Sequence, residues 1–272
     1  MAKRITKVWK RILCGTVPYY TCKIFHPTSR NLIYYKYIKE HGDAHHLFLY
    51  QHEYDSYEPD VLLDPSCGLP YVLMPDTNRK LFFKRGLREN FIRGMLKDLL
   101  IEQDYRSPHR YFDHIDEFAG KTLLDIGAAE GILSLMAIDQ VEHVYLFEYD
   151  SAWIEALQKT FEEWKDKVTI IGKYVGNVDT DKMVTLDSYF SELPHKHLFL
   201  KMDVEGMERD VLSGTRNLFH EPNNISFAIC TYHKKDDFHT ISSFLDTFQC
   251  TYQNQEGYFR HQLRSVVLRG HN

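Results

Sequence analysis

Beyond residue 121, short apolar runs alternate with stretches in which apolar residues return every three or four positions. The runs predict strands at Thr122–Ile126, Val144–Glu148, Val168–Ile171, Leu198–Asp203 and Ile225–Tyr232, with closing strands near Tyr258 and over Ser265–Leu268. The helical period predicts helices over Gly131–Ile138, Ser151–Trp164, Met207–Phe219 and Asp236–Phe248, with Leu186–Leu193 following the third strand. Alternation of this kind predicts an α/β fold, a mostly parallel sheet covered on both faces, with ligands at the carboxyl ends of its strands.

The N-terminal third reads differently. Ile5, Val8, Trp9 and Ile12 lie at helical spacing among Lys3, Arg4, Lys7, Lys10 and Arg11, so Met1–Thr16 predicts a short basic amphipathic helix. Packing on the protein's own body is its expected fate, with contact to an anionic membrane surface as the alternative. Pro18 to Pro59 is rich in aromatics without a clean period and reads as an irregular cap. Its histidines, His41, His45, His46 and His52, match no common zinc spacing, and no cysteine or acid nearby completes a set. Tyr71–Met74, the turn Pro75–Asn78 and Leu81–Phe83 predict a hairpin within Pro70–Arg85, followed by a helix over Asn90–Glu102. Asp104–His109 is a loop, which sets a boundary near Tyr105: residues 1–104 form the cap and 105–272 the ligand-binding domain.

Composition narrows the classes. With 43% hydrophobic residues the chain can build a sizeable core, and a net charge of −5 supplies no global basic field for nucleic acid. Cys14, Cys22, Cys67, Cys230 and Cys250 are scattered without C-x-x-C pairs, the usage of a reduced compartment. No stretch is apolar for long enough to span a bilayer and the basic start lacks a secretory apolar region, so a cytoplasmic protein is expected.

The chemistry centres on Asp125-Ile126-Gly127-Ala128-Ala129-Glu130-Gly131. Gly127, Ala128 and Gly131 leave room for backbone to approach a ligand between a strand and a helix. A pyrophosphate on that helix N-terminus would be repelled by Glu130, and the third glycine of G-x-G-x-x-G is missing. Asp125 and Glu130 instead suit a cationic ligand without phosphate, which points to S-adenosylmethionine. Glu148 ends the second strand 17 residues after Gly131, where a carboxylate can hold ribose hydroxyls. After the third strand, Tyr174 or Val175 can cover an adenine ring.

The fourth strand runs into Asp203-Val204-Glu205-Gly206. Strand alternation would point Asp203 and Glu205 the same way, toward the place of methyl delivery, while helix capping is the structural alternative. His233 emerges from the fifth strand on the same edge and is a plausible general base. With Asp203 and Glu205 it is also a candidate set for a divalent metal. Asp236 or Asp237 is expected to cap the next helix.

Over Glu102–Phe248 the chain resembles the FkbM-type methyltransferases. The resemblance rests on Leu124–Gly131, Glu148, Thr185-Leu186-Asp187-Ser188, Lys201-Met202-Asp203-Val204-Glu205-Gly206-Met207-Glu208 and the Tyr232-His233 exit. It implies a Rossmann-like class I methyltransferase sheet with a C-terminal antiparallel hairpin and an N-terminal cap. It further implies that Asp125, Gly127 and Gly131 bind the methionine part of the cofactor, Glu148 the ribose, and Asp203 the region of the sulfonium and acceptor. The chain departs from the pattern in a shortened segment after the third strand and in carrying Tyr149 where proline is common, which sets Tyr149 and Tyr174 beside the expected cofactor. His109, in the Ser107–Tyr111 approach, is placed to reach cofactor or acceptor.

The resulting expectation is in-line O-methyl transfer to a hydroxyl of a sugar, surface glycan or glycosylated metabolite, with His233 or Asp203 as base and Glu205 holding the acceptor or a metal. An NAD-dependent sugar dehydrogenase or epimerase and a non-catalytic binding module are the rival readings.

Overall fold

The computed structural model describes residues 8–42, 44, 46–191, 197–220 and 224–272. Its strands are β1 (His46–Leu47), β2 (Leu62–Leu63), β3 (Pro70–Leu73), β4 (Lys80–Phe82), β5 (Thr122–Ile126), β6 (His143–Phe147), β7 (Val168–Ile171), β8 (Tyr174–Val175), β9 (Met183–Val184), β10 (His197–Met202), β11 (Asn224–Cys230), β12 (Thr251–Phe259) and β13 (Gln262–His271). Its α-helices are α1 (Val17–Phe25), α2 (Leu32–His41), α3 (Glu89–Glu102), α4 (Ile132–Ala137), α5 (Ser151–Thr160), α6 (Leu186–Tyr189), α7 (Glu208–Ser213), α8 (Arg216–His220) and α9 (Asp237–Thr247).

The main sheet has the order β1-β12-β13-β11-β10-β5-β6-β7. The five strands from β11 to β7 run parallel, and β13, β12 and β1 add antiparallel neighbours. β5 and β10 are neighbours although half the domain separates them in sequence, so the direction of winding reverses between them. In open α/β sheets that reversal opens a crevice at the strand ends.

Burial explains the strand predictions. Leu123, Leu124 and Ile126 of β5 are sealed in two cores, one on each face of the sheet. A strand covered on both faces has a continuous apolar run, which is what β5, β10 and β11 display. Helix starts are equally local: Asp150 accepts the Ala152 N–H at α5, and Thr185 accepts the Ser188 N–H at α6.

Several expectations need correcting. Pro18–Pro59 is not irregular throughout, since it contains α1 and α2. Helical backbone runs from Val8 to Phe25 with a π-helical turn at Ile12–Thr16, and residues 1–7 of the predicted Met1–Thr16 helix lie outside the described residues. That helix meets α2 through Gly15, where an added Cβ would press on Ile38 and the Lys39 backbone. The small face therefore packs, and Trp9 and Leu13 stay 58% and 62% exposed instead of docking on the body of the protein. The predicted Met207–Phe219 helix is two helices, because the chain bends at Gly214 against the Gly176 carbonyl, where no side chain fits. The expected Leu186–Leu193 element shortens to the single turn of α6.

The hairpin of β3 and β4 stands as expected and gains β2 as a third strand. Through β1 the N-terminal segment also contributes an edge strand to the main sheet, pairing His46 with Phe259 and Leu47 with Tyr258.

Candidate functional site

Asp125 and Lys201 are register partners on β5 and β10, so their side chains project from the same face. Lys201 Nζ lies 3.0 Å from Asp125 Oδ1 and donates to the Gly127 carbonyl at 2.7 Å, and Ser134 Oγ donates to Asp125 Oδ2 at 2.7 Å. Asp125 is thus a buried clasp that fixes the turn. Gly127 has φ +77°, and a Cβ there would overlap the Asp203 carbonyl, so the ends of β5 and β10 meet backbone to backbone. Ala129 also adopts a left-handed φ of +47°, and its N–H is held by Glu148 Oε2 at 3.0 Å.

A cleft of about 430 Å³ opens beside this turn, within the size range of small-molecule sites. Gly127, Glu148, Tyr149, Tyr174, Asp203 and Glu205 line it. Asp125, Ala128, Glu130 and Gly131 are absent from its lining and are buried behind it. Glu130 is pushed up to about 7 by burial, with its own and the Ile132 N–H and Lys201 acting against the shift. Glu148 accepts the N–H groups of Ala129 and Asp150, at 3.0 and 2.8 Å, which aims its carboxylate along the cleft while leaving lone pairs for hydroxyl donors. Tyr149 and Tyr174 stack on each other with ring centroids 4.0 Å apart. At that separation no third ring fits between them.

The chemistry at the other end of the cleft gathers around His233. Its Nδ1 lies 2.7 Å from Glu208 Oε1, and its Nε2 lies 3.5 Å from Asp203 Oδ1 and 3.4 Å from Glu205 Oε2. Asp203 is oriented by Tyr111, whose hydroxyl donates to Oδ2 at 3.0 Å, with the Tyr232 hydroxyl 3.5 Å away. Burial alone would lower the His233 pKa, but Glu208 first, then Asp203 and Glu205, outweigh it and raise it above the ordinary value. Glu208 is fully buried; burial acts to raise its pKa, but contact with His233 holds it below its usual range.

Asp203 and Glu205 both line the cleft, but strand alternation is not what brings them there. β10 ends at Met202, and Glu205 adopts a left-handed φ of +53°, which leaves its side chain 93% exposed. Glu208 takes the inner position instead, accepting the N–H groups of Val204 and Gly206. Asp203, Glu208 and His233 can each bring one ligand atom within 4.8 Å of the others, so Glu208 replaces Glu205 in the metal-capable set. Glu208, Tyr111 and Tyr232 are the residues sequence reasoning missed as site members. Only Glu208 carried a signal, as the acid opening the helix after Asp-x-Glu-Gly. At the next helix, Asp237 accepts the Lys234 N–H at 2.5 Å and both Asp236 and Asp237 bind Arg209.

The histidines of the N-terminal segment do meet an acid, contrary to the expectation. His46 Nδ1 lies 3.1 Å from His109 Nε2, and Glu102 at the end of α3 joins them. His109 is buried with its ring centroid 4.9 Å from that of Tyr232, so it stands behind the Asp203 side of the cleft. His45 lies outside the described residues.

The sheet order and the cleft at its reversal define a Rossmann-like α/β fold with a large, mostly parallel sheet. Residues 165–255 match the model of the methyltransferase FkbM domain. The tRNA1(Val) (adenine(37)-N6)-methyltransferase of Shewanella baltica strain OS195 is 33% identical over 113 residues, 40% of this chain and 44% of the relative. The chain thus spans less than half the length of that relative. The solved FkbM methyltransferase of Methylobacillus flagellatus KT aligns with a TM-score of 0.45 and 21% identity, over 56% of this chain and 43% of the other. Precorrin-6y C5,15-methyltransferase of Geobacter metallireducens GS-15 aligns at 0.40 and 12%, over 58% and 83%.

Proposed function

We propose that this chain transfers a methyl group from S-adenosylmethionine to a hydroxyl of a carbohydrate-type acceptor. The observation that carries the reading is His233, with Glu208 at one nitrogen and, at the other, Asp203, which lines the cleft beside the glycine turn. The cofactor would supply an electrophilic methyl on a sulfonium. Glu148 suits its ribose, the Tyr149–Tyr174 pair its adenine, and the Gly127–Asp203 junction the methionine chain. The acids that line the cleft, Glu148, Asp150, Asp203 and Glu205, give its wall a negative character that favours a cation over a pyrophosphate.

A hydroxyl acceptor must lose its proton as the new bond forms. Glu208 fixes the His233 ring so that Nε2 faces Asp203 and Glu205, which line the cleft, and the proton would reach Nε2 by way of these carboxylates when His233 is neutral. Asp203, anchored by Tyr111, accepts a hydrogen bond from the acceptor hydroxyl and sets its direction of attack. A divalent ion on Asp203, Glu208 and His233 is the second arrangement the same donors allow. Loss of turnover on chelation, restored by one metal, distinguishes it from the metal-free dyad.

A nucleic-acid base is the second acceptor class, favoured by the activity named for the Shewanella baltica relative. Binding of S-adenosylhomocysteine against NAD by calorimetry tests the cofactor. Mass-spectrometric detection of labelled methyl in a panel of glycans and tRNA tests the acceptor. Binding of NAD in place of S-adenosylhomocysteine would refute the cofactor assignment, and label in tRNA alone would refute the carbohydrate.

A further inference from the structure

We propose that His46, Glu102 and His109 form a binding site for one divalent transition-metal ion, zinc or a close relative, separate from the His233 cluster. Three distant segments build it: the edge strand β1, the last residue of α3, and the loop that follows that helix. Their ligand atoms all lie within 4.8 Å of one another.

The spacing of the two imidazoles is the quantitative argument. Two bonds of about 2.0–2.1 Å from one ion at a tetrahedral angle set their nitrogens roughly 3.3–3.4 Å apart. His46 Nδ1 and His109 Nε2 are 3.1 Å apart, so an ion enters with a shift of a few tenths of an ångström. The Glu102 carboxylate, within 4.8 Å of both nitrogens, closes on the ion by rotating its side chain.

The donor set selects the class of ion. Two neutral imidazoles and one carboxylate suit zinc, cobalt, iron or nickel, whereas calcium and magnesium prefer oxygen ligands. His46 and Glu102 both line a cavity of about 330 Å³, which leaves a fourth position open to water or a small oxygen ligand. Aromatic rings flank the site, with Phe259 tilted at 4.4 Å from His46 and Phe48 set edge-on at 5.7 Å from His109. A hydrogen bond between two histidines accounts for the 3.1 Å contact alone. The ion accounts also for the carboxylate that α3 brings to the same point.

Such an ion would fasten β1 and α3 to the loop carrying His109, which packs on Tyr232 beside Asp203. This inference stands apart from the methyl-transfer reading, because it concerns binding and rigidity and not turnover.

The test is titration of the full chain, dialysed against a chelator, with Co²⁺ as a spectroscopic probe. One ion per chain is expected, with visible d–d absorption abolished by excess Zn²⁺ and a raised thermal midpoint. Glu102→Gln and His46→Gln should each weaken Co²⁺ binding about 10- to 100-fold while retaining a native circular dichroism spectrum. His233→Gln should leave the cobalt band unchanged. No band and no thermal shift at about 100 μM Co²⁺ would overturn the proposal, a concentration well above the affinity of a real site of this kind. So would a band that survives both substitutions, or one lost in His233→Gln.

Discussion

Lys201 joins Asp125 to the Gly127 carbonyl, so a single ammonium on β10 fixes both the end of β5 and the start of the turn that follows it. The pair is almost fully buried, and its ends belong to the two strands between which the winding of the sheet reverses.

Removing one member leaves the other charged and without its partner. Lys201→Met should cost about 3–5 kcal/mol, measured by urea denaturation, because the buried Asp125 carboxylate loses its counter-charge. Asp125→Asn should cost a comparable amount. A loss below about 1 kcal/mol in both would show that the clasp does not hold the turn.

Gly127 and Gly86 separate backbone strain from collision. Both have positive φ, but a Cβ at Gly86 meets nothing within 4 Å, whereas one at Gly127 overlaps the Asp203 carbonyl. Gly86→Ala should cost about 1–2 kcal/mol, and Gly127→Ala substantially more. Equal midpoints in denaturant would contradict the close approach of the two loops.

Glu148 holds Ala129 and Asp150 while facing the cleft. Glu148→Ala should weaken S-adenosylhomocysteine about 10- to 100-fold in calorimetry, since hydrogen bonds to a charged acceptor contribute about 1.5–3 kcal/mol. Unchanged affinity would remove Glu148 from the ribose assignment.

The raised pKa of His233 fixes the direction of the pH profile. The base form is the neutral ring, so turnover should rise with pH on a limb centred above 6.5. Glu208→Gln takes away the largest influence raising that value and should move the limb to lower pH while reducing kcat. Stability follows the opposite course: the contribution of His233 is complete below its unfolded pKa and is lost as pH rises through the folded one. A limb that stays put in Glu208→Gln would exclude His233 as the titrating base.

Glu130, at about 7, works in the same direction on stability. Its protonated form favours the fold, so stability is fully present below about 4.3 and falls as pH rises to about 7. Glu130→Gln should therefore show a thermal midpoint that gains on the wild type across that interval. A constant difference with pH would mean that Glu130 ionises normally.

The sequence disclosed elements whose signal is local. Thr122–Ile126 and Val168–Ile171 are predicted to the residue because their apolar runs are bounded by polar positions and turns. The left-handed backbone of Glu205 was hidden, since such a residue breaks the alternation on which its orientation was argued, although its carboxylate still comes to His233 beside Asp203. Glu208 stands in the sequence only as the last residue of the Lys201–Glu208 motif, and its burial against His233 is what marks it out. His46, Glu102 and His109 escaped because their proximity depends on β1 joining the far edge of the sheet, which no spacing encodes.

That two-residue strand also has a mechanical meaning. By pairing with Tyr258 and Phe259 it pins the start of the chain to the C-terminal hairpin, whose Phe259 packs on Tyr232 beside Asp203. Cutting the protein near Tyr105 would release a lever arm, not a spare module, and the aromatic packing behind Asp203 would go with it.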